Sequence, residues 1–174
     1  MKRTFRPLYG FTQATPKSGF LDPVWGRTVP IYPGMVMTKT VGNNYTLIGG
    51  ADTSANPTTQ QPAGLVGQFI GGYGIDELLD SGINALAVWV LAPDAEIELL
   101  APAFAATQTW SDTGHGEDNL AYAAVSGSLQ GQLVPAVYTV NKRSKTPVCR
   151  IIQIESPVAL IVGGLTTRYG GTTN

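Results

Sequence analysis

The sequence predicts a mostly β protein: a single sandwich or barrel-like domain of short strands, with one short helix and an extended N-terminal arm. Two observations carry that reading. With 21 Gly and 12 Pro in 174 residues, about one position in five is hostile to a helix interior. Between those breakers lie short β-branched and apolar runs of strand length. The chain is long enough for one domain with a real core, and two full domains would be cramped.

Residues 1–28 mix Lys2, Arg3, Arg6, Lys17 and Arg27 with Phe5, Tyr9, Phe11, Phe20 and Trp25, broken by Pro7, Pro16 and Pro23. No period of 2 or 3.6 runs through them, so they read as an arm. Aromatics in an irregular basic segment need a surface to cover them, either a partner or the chain's own domain. A β-rich domain follows over residues 29–165, and 166–174 read as a flexible tail.

Within that domain the strand candidates come in order. Val29–Tyr32, Met35–Lys39, Tyr45–Ile48 and Leu65–Ile70 are bounded by turn residues, and Gly42-Asn43-Asn44 is a hairpin signal because Gly and Asn tolerate positive φ. Residues 51–63 read as a polar loop. Ile75–Asp80 is the helix candidate, stopped by Gly82. Residues 85–104 read as two strands around a Pro93-Asp94 turn: the first is apolar on both faces, whereas Glu96 and Glu98 alternate with Ile97 and Leu99 as in a strand with one wet face. A loop over 107–119 precedes strands at Gln132–Tyr138, Val148–Glu155 and Val158–Val162.

Charge is segregated along the chain. Residues 1–39 carry +5, residues 40–141 carry −10 with no basic side chain, and residues 142–174 carry +4, which leaves −1 overall. Charged residues make up only 13 % of the chain, about half the roughly 25 % usual for soluble domains. Basic ends on an acidic body point to docking rather than to catalysis.

No motif names a reaction. The one histidine lies in Ser111-Asp112-Thr113-Gly114-His115-Gly116-Glu117-Asp118, whose spacing matches neither a zinc-hydrolase helix nor an EF-hand loop and reads as a solvated loop. Any Ser-His-Asp device would need His115, and no nucleophile elbow surrounds Ser126 or Ser128. Glu96 and Glu98 share a strand face roughly 7 Å apart, a spacing a glycosidase pair also uses, though a wet strand face explains them. Gly71-Gly72-Tyr73-Gly74 lacks the lysine of a phosphate loop. Cys149, the single cysteine, excludes an internal disulfide and reads as a buried strand thiol. No apolar run reaches the roughly 18 residues of a membrane span, and Met1-Lys2-Arg3 is not followed by the apolar stretch of a secretion signal. The acidic middle and a pI near 5.7 argue against a continuous phosphate-binding face. No enzyme activity, cofactor, metal, membrane or direct nucleic-acid contact is expected.

Three stretches together resemble a known group: Ile31-Tyr32-Pro33-Gly34-Met35-Val36-Met37, then Pro62-Ala63-Gly64-Leu65-Val66-Gly67, then Trp89-Val90-Leu91-Ala92-Pro93-Asp94-Ala95 with Pro147-Val148-Cys149-Arg150-Ile151-Ile152. They are similar to the small β-rich head decoration proteins of tailed bacteriophages, over roughly residues 29–165. That resemblance implies a structural virion protein, made in the host bacterial cytoplasm, that sits on the capsid exterior and stabilises it by bridging subunits. It implies the major capsid protein as partner, self-association as a homotrimer, and a capsid-binding arm carrying Lys2, Arg3, Phe5, Arg6, Tyr9 and Phe11. Deleting residues 1–20 is then expected to leave a folded domain that no longer binds capsids. The other readings are a minor capsid or tail-associated part, and a carbohydrate-binding module with Trp89 or Trp110 as a stacking platform.

Overall fold

The computed structural model describes residues 4–9, 15–22, 30–40, 42–49, 60–67, 85–112 and 116–165. Eleven strands are found among them: β1 (Phe5–Tyr9), β2 (Thr15–Leu21), β3 (Val36–Lys39), β4 (Asn44–Leu47), β5 (Pro62–Val66), β6 (Ala85–Val90), β7 (Glu96–Leu100), β8 (Leu120–Ala123), β9 (Leu133–Pro135), β10 (Cys149–Ser156) and β11 (Ala159–Gly163). They build a six-stranded sheet in the order β1-β7-β11-β10-β8-β9 and a closed barrel in the order β2-β4-β3-β5-β6. Only β2 and β4 run parallel; every other pairing is antiparallel. Three 3-10 turns, at Gly116–Asn119, Gly127–Leu129 and Val140–Lys142, are the helical elements among the described residues. The protein is mostly β, as its sequence predicts. The expected helix at Ile75–Asp80 and the tail at 166–174 lie outside the described residues.

Where periodicity is clean, the strands fall where the sequence puts them. Lys39 faces Tyr45 across the β3–β4 hairpin, and Gly42 in its turn has φ +68°. In β7, Ile97 and Leu99 are fully buried while Glu96 and Glu98 are only partly so, and the alternation reads the face directly. Of the strand expected at Val29–Tyr32, the described residues 30–32 form only an isolated bridge at Ile31, and two further strands are displaced. β5 begins at Pro62 rather than Leu65, and β9 shrinks to Leu133–Pro135, because Pro135 opens a turn in which Tyr138 N–H donates to the Pro135 carbonyl.

The N-terminal arm is the main correction. Residues 5–9 form β1, paired with β7, and residues 15–21 form β2, which closes the barrel against β6 from Thr15–Val90 to Phe20–Ala85. The alternative, a segment folded over its own domain, is what the described part of residues 1–28 adopts. β1 ends the strand order, where Pro7 is tolerated because an edge strand has a side without ladder bonds. In β2, Gly19 packs so closely on the Tyr45 ring and the Asn43 carbonyl that a Cβ there would overlap both.

One core joins the two sheets. Val36 of β3, Leu65 of β5 and Ile48 pack with Phe5, Ile97, Leu99, Leu133, Cys149, Ile151, Leu160 and Val162 of the six-stranded sheet. A second cluster fills the barrel with Leu21, Ile31, Met37, Tyr45, Leu47, Val66 and Val88. A third lies on the opposite face of the six-stranded sheet, where Leu120, Tyr122 and Ala124 project from the β8 side against Val134.

Candidate functional site

Two basic regions of the sequence are candidates for docking, and the structure treats them differently. The first is the N-terminal strand. Thr4 is fully buried: its Oγ1 donates to the Pro33 carbonyl at 2.7 Å, and its own carbonyl accepts from Leu100 N–H at 3.0 Å. Phe5, opposite Leu99, is 9 % exposed and belongs to the core. Arg6 faces Glu98 across the strands and forms the one ion pair among the described residues, Nε to Oε2 at 2.8 Å, with side chains 55 % and 16 % exposed. At that exposure the pair contributes about 0.5 kcal/mol. Glu98 is thereby a structural partner of β1. Leu8 is 42 % exposed.

Of the six residues expected to form a capsid-binding arm, Phe5 is therefore spent on the core, and Arg6 projects outward while held by Glu98. Tyr9 closes β1 opposite Glu96, and Lys2, Arg3 and Phe11 lie outside the described residues.

The second region is the loop from Ala136 to Lys145. Its backbone is fixed to the end of β8: Val125 N–H donates to the Lys142 carbonyl and Ser144 N–H to the Ala123 carbonyl, while Ser144 Oγ accepts from Ala123 N–H and donates to the Thr146 carbonyl. That clamp lays the Arg143 guanidinium over the Tyr122 ring at 3.7 Å from its centroid. Nη1 donates to the Ser144 carbonyl at a long 3.4 Å, and Nε is buried without a hydrogen-bond partner. Lys142 and Lys145 are exposed, as are Val137 and Val140, at 78 % and 65 %. Val137 was not legible as a surface residue, because Pro135-Ala136-Val137-Tyr138 reads as the end of a strand.

Several of the described groups that could do chemistry are occupied. Cys149 is buried in β10, and burial pushes its thiol up from 9.0 to about 12. Asp112 accepts from Ile154 N–H at 2.9 Å, and no group of three His, Cys, Asp or Glu side chains is placed to hold a metal among the described residues. His115 lies outside them. Trp110 meets Phe104 edge-on, with centroids 5.6 Å apart, and spends its indole N–H on the Ala105 carbonyl. The cavity beside it is lined by Phe104, Ala106, Gln108, Ile154, Ser156, Pro157 and Leu160, without a charged group. Trp89 packs against the main core.

What remains among the described residues is a β scaffold with an exposed Arg6-Pro7-Leu8 strand and a basic loop at Lys142–Lys145. A family model described as phage cement protein matches residues 1–169. The chain belongs to the phage cement protein family. No curated protein and no solved structure matches it. As a cement protein it is a structural component of the virion capsid that stabilises the shell. The match takes in both the N-terminal strand and the Ala136–Lys145 loop. No helix among the described residues is long and apolar enough to cross a membrane.

Proposed function

We propose that this cement protein binds the outer surface of the capsid, contacts the major capsid protein through its N-terminal segment, and bridges neighbouring capsid subunits as a homotrimer. The family match over residues 1–169 is the observation that carries this reading. The exposed Arg6-Pro7-Leu8 stretch of β1 supports it locally, since it sets a cation beside an apolar side chain on a strand held rigid by Thr4 and Phe5. A preformed surface of this kind loses little conformational entropy on binding. Lys2, Arg3, Tyr9 and Phe11 extend the same contact. The segment acts as part of the domain rather than as a tether, and many symmetric copies turn weak contacts into avidity.

The test is co-sedimentation with expanded capsids, using point variants rather than a truncation, because residues 1–20 contain β1 and most of β2. Leu8→Asp and the double variant Lys2→Glu/Arg3→Glu are expected to fold and to weaken capsid binding about tenfold or more. Unchanged pelleting by both would move the contact away from the N-terminus. Failure of the unaltered protein to pellet would remove the capsid reading itself.

A further inference from the structure

Two turns meet beside Pro102 and leave a cavity of about 310 Å³ between them. The first is Tyr32-Pro33-Gly34-Met35, where Met35 N–H donates to the Tyr32 carbonyl at 3.0 Å and Gly34, at φ +93°, follows the proline that opens the turn. The second is the Gly127–Leu129 3-10 turn with the chain that leads from it to β9. Val36 N–H donates to the Gly131 carbonyl at 2.8 Å, which fastens the two turns together. The walls are set before any ligand arrives.

Half-buried Tyr32, Pro30 and Pro102, with buried Met35, give the cavity its apolar lining, whereas Ser128, Gln130 and Gln132 give it polar groups. None of its described lining residues is charged. Gln130 Nε2 donates to the Ile48 carbonyl at 3.1 Å, which fixes that amide and leaves Oε1 as an acceptor. The Gln132 amide and the Ser128 hydroxyl make no hydrogen bond among the described residues, and the free atoms of both glutamines are open to solvent. The main chain is closed by contrast. Tyr32, Met35, Gln130 and Gln132 each spend their N–H on an acceptor of this chain, and the two prolines have none to offer. An extended peptide, which is usually held through its main chain, would find few partners there.

We infer that this cavity binds a neutral saccharide. Sugar hydroxyls both donate and accept hydrogen bonds, as do the Gln132 amide and the Ser128 hydroxyl, and Gln130 Oε1 adds an acceptor held in place. The C–H face of a sugar ring packs on flat apolar surfaces, and the negative face of the Tyr32 ring suits its weakly positive hydrogens. With no charge in the described lining, nothing there rewards an anion or a cation. At about 310 Å³ the cavity lies at the small end of the range for ligand sites, which fits the terminal unit of a glycan rather than a long chain. Arg6, Leu8, Trp89 and Trp110 do not line it. Shell binding and sugar binding are therefore separable.

Amide NMR of the intact protein tests this with three neutral probes, maltotriose, mannotriose and triacetylchitotriose, and with trigalacturonic acid as the charged comparison. At least one neutral probe is expected to saturate with a dissociation constant of about 10 mM or tighter and to shift amides of residues 31–35 and 127–132. Trigalacturonic acid is expected to bind about tenfold more weakly or not at all. Gln132→Glu and the uncharged Gln132→Ala, both at a half-buried position, are expected to keep the native spectrum and to weaken the best probe about tenfold. No saturation by any neutral probe, shifts centred on Trp89 or Trp110 instead, equal binding of the acidic probe, or full-strength binding by both variants would each overturn the inference. Absence of sugar binding together with loss of capsid pelleting by Gln132→Glu would assign the cavity to a segment of the shell, also overturning it. Capsid pelleting of the unaltered protein, measured alongside, reports separately on the capsid reading.

Discussion

At the residue scale, the positions that hold this molecule together are those where backbone approaches backbone. Gly49 has φ +86°, a region that side chains disfavour, and a Cβ there would run into the Val125 carbonyl. Its N–H donates to Gln60 Oε1 at 2.7 Å, and the neighbouring Ile48 carbonyl accepts from Gln130 Nε2. This is where the chain leaving β4 of the barrel is fastened to the loop after β8. Gly49→Ala is therefore expected to lower stability by about 3 kcal/mol, combining the strained φ with displacement of the Val125 backbone. Urea denaturation measures it, and a midpoint within experimental error of the unaltered protein would show that the approach is not tight. By contrast Arg6 and Glu98, exposed enough to be screened, matter more for how β1 presents its outer face than for stability.

At the element scale, the N-terminal strand changes from an arm to a part of the fold. Removing residues 1–9 takes out Phe5 from the core and both bonds of Thr4, and leaves the side of β7 that β1 covers without its ladder. Loss of a buried Phe alone costs about 3–5 kcal/mol, a large share of the 5–15 kcal/mol that holds a domain folded. The truncated protein is expected to be largely unfolded or to melt far below the intact chain, and near-native thermal stability would restore the dispensable arm. The sequence hid β1 and β2 because Pro7, Pro16 and Gly19 are poor strand formers, and their pairing is decided by distant partners, Glu98 for Arg6 and Trp89 for Pro16. β8 was hidden too: Leu120-Ala121-Tyr122-Ala123 is buried on both faces, so four small and large apolar residues show no alternation. β7, β3 and β4 were legible because one face of β7 is wet and because a Gly-Asn-Asn turn marks the hairpin. The same reasoning explains the site. Charge clusters at Arg6 and at Lys142–Lys145 are visible in the sequence, whereas the Glu98 partner and the Tyr122 platform come from strand register.

At the scale of the whole molecule, the barrel and the six-stranded sheet are not two units joined by a linker. Val36 and Leu65 belong to barrel strands, yet they are buried with Leu99, Leu133 and Leu160 of the sheet. The backbone ties agree, for Val36 N–H donates to the Gly131 carbonyl and Ile48 packs against the same core. A cement protein carries load between its contacts, and a hinge between two half-domains would yield before the shell does; a shared core removes that hinge. The consequence is measurable, since neither sheet retains its buried face without the other. Thermal unfolding is expected to be one transition, with tryptophan emission, to which Trp89 in the barrel, Trp110 beside Phe104 and Trp25 contribute, coinciding with far-ultraviolet circular dichroism. Two separated transitions, with one probe moving before the other, would mean that the sheets melt independently and that stiffness on the capsid has to come from neighbouring copies instead.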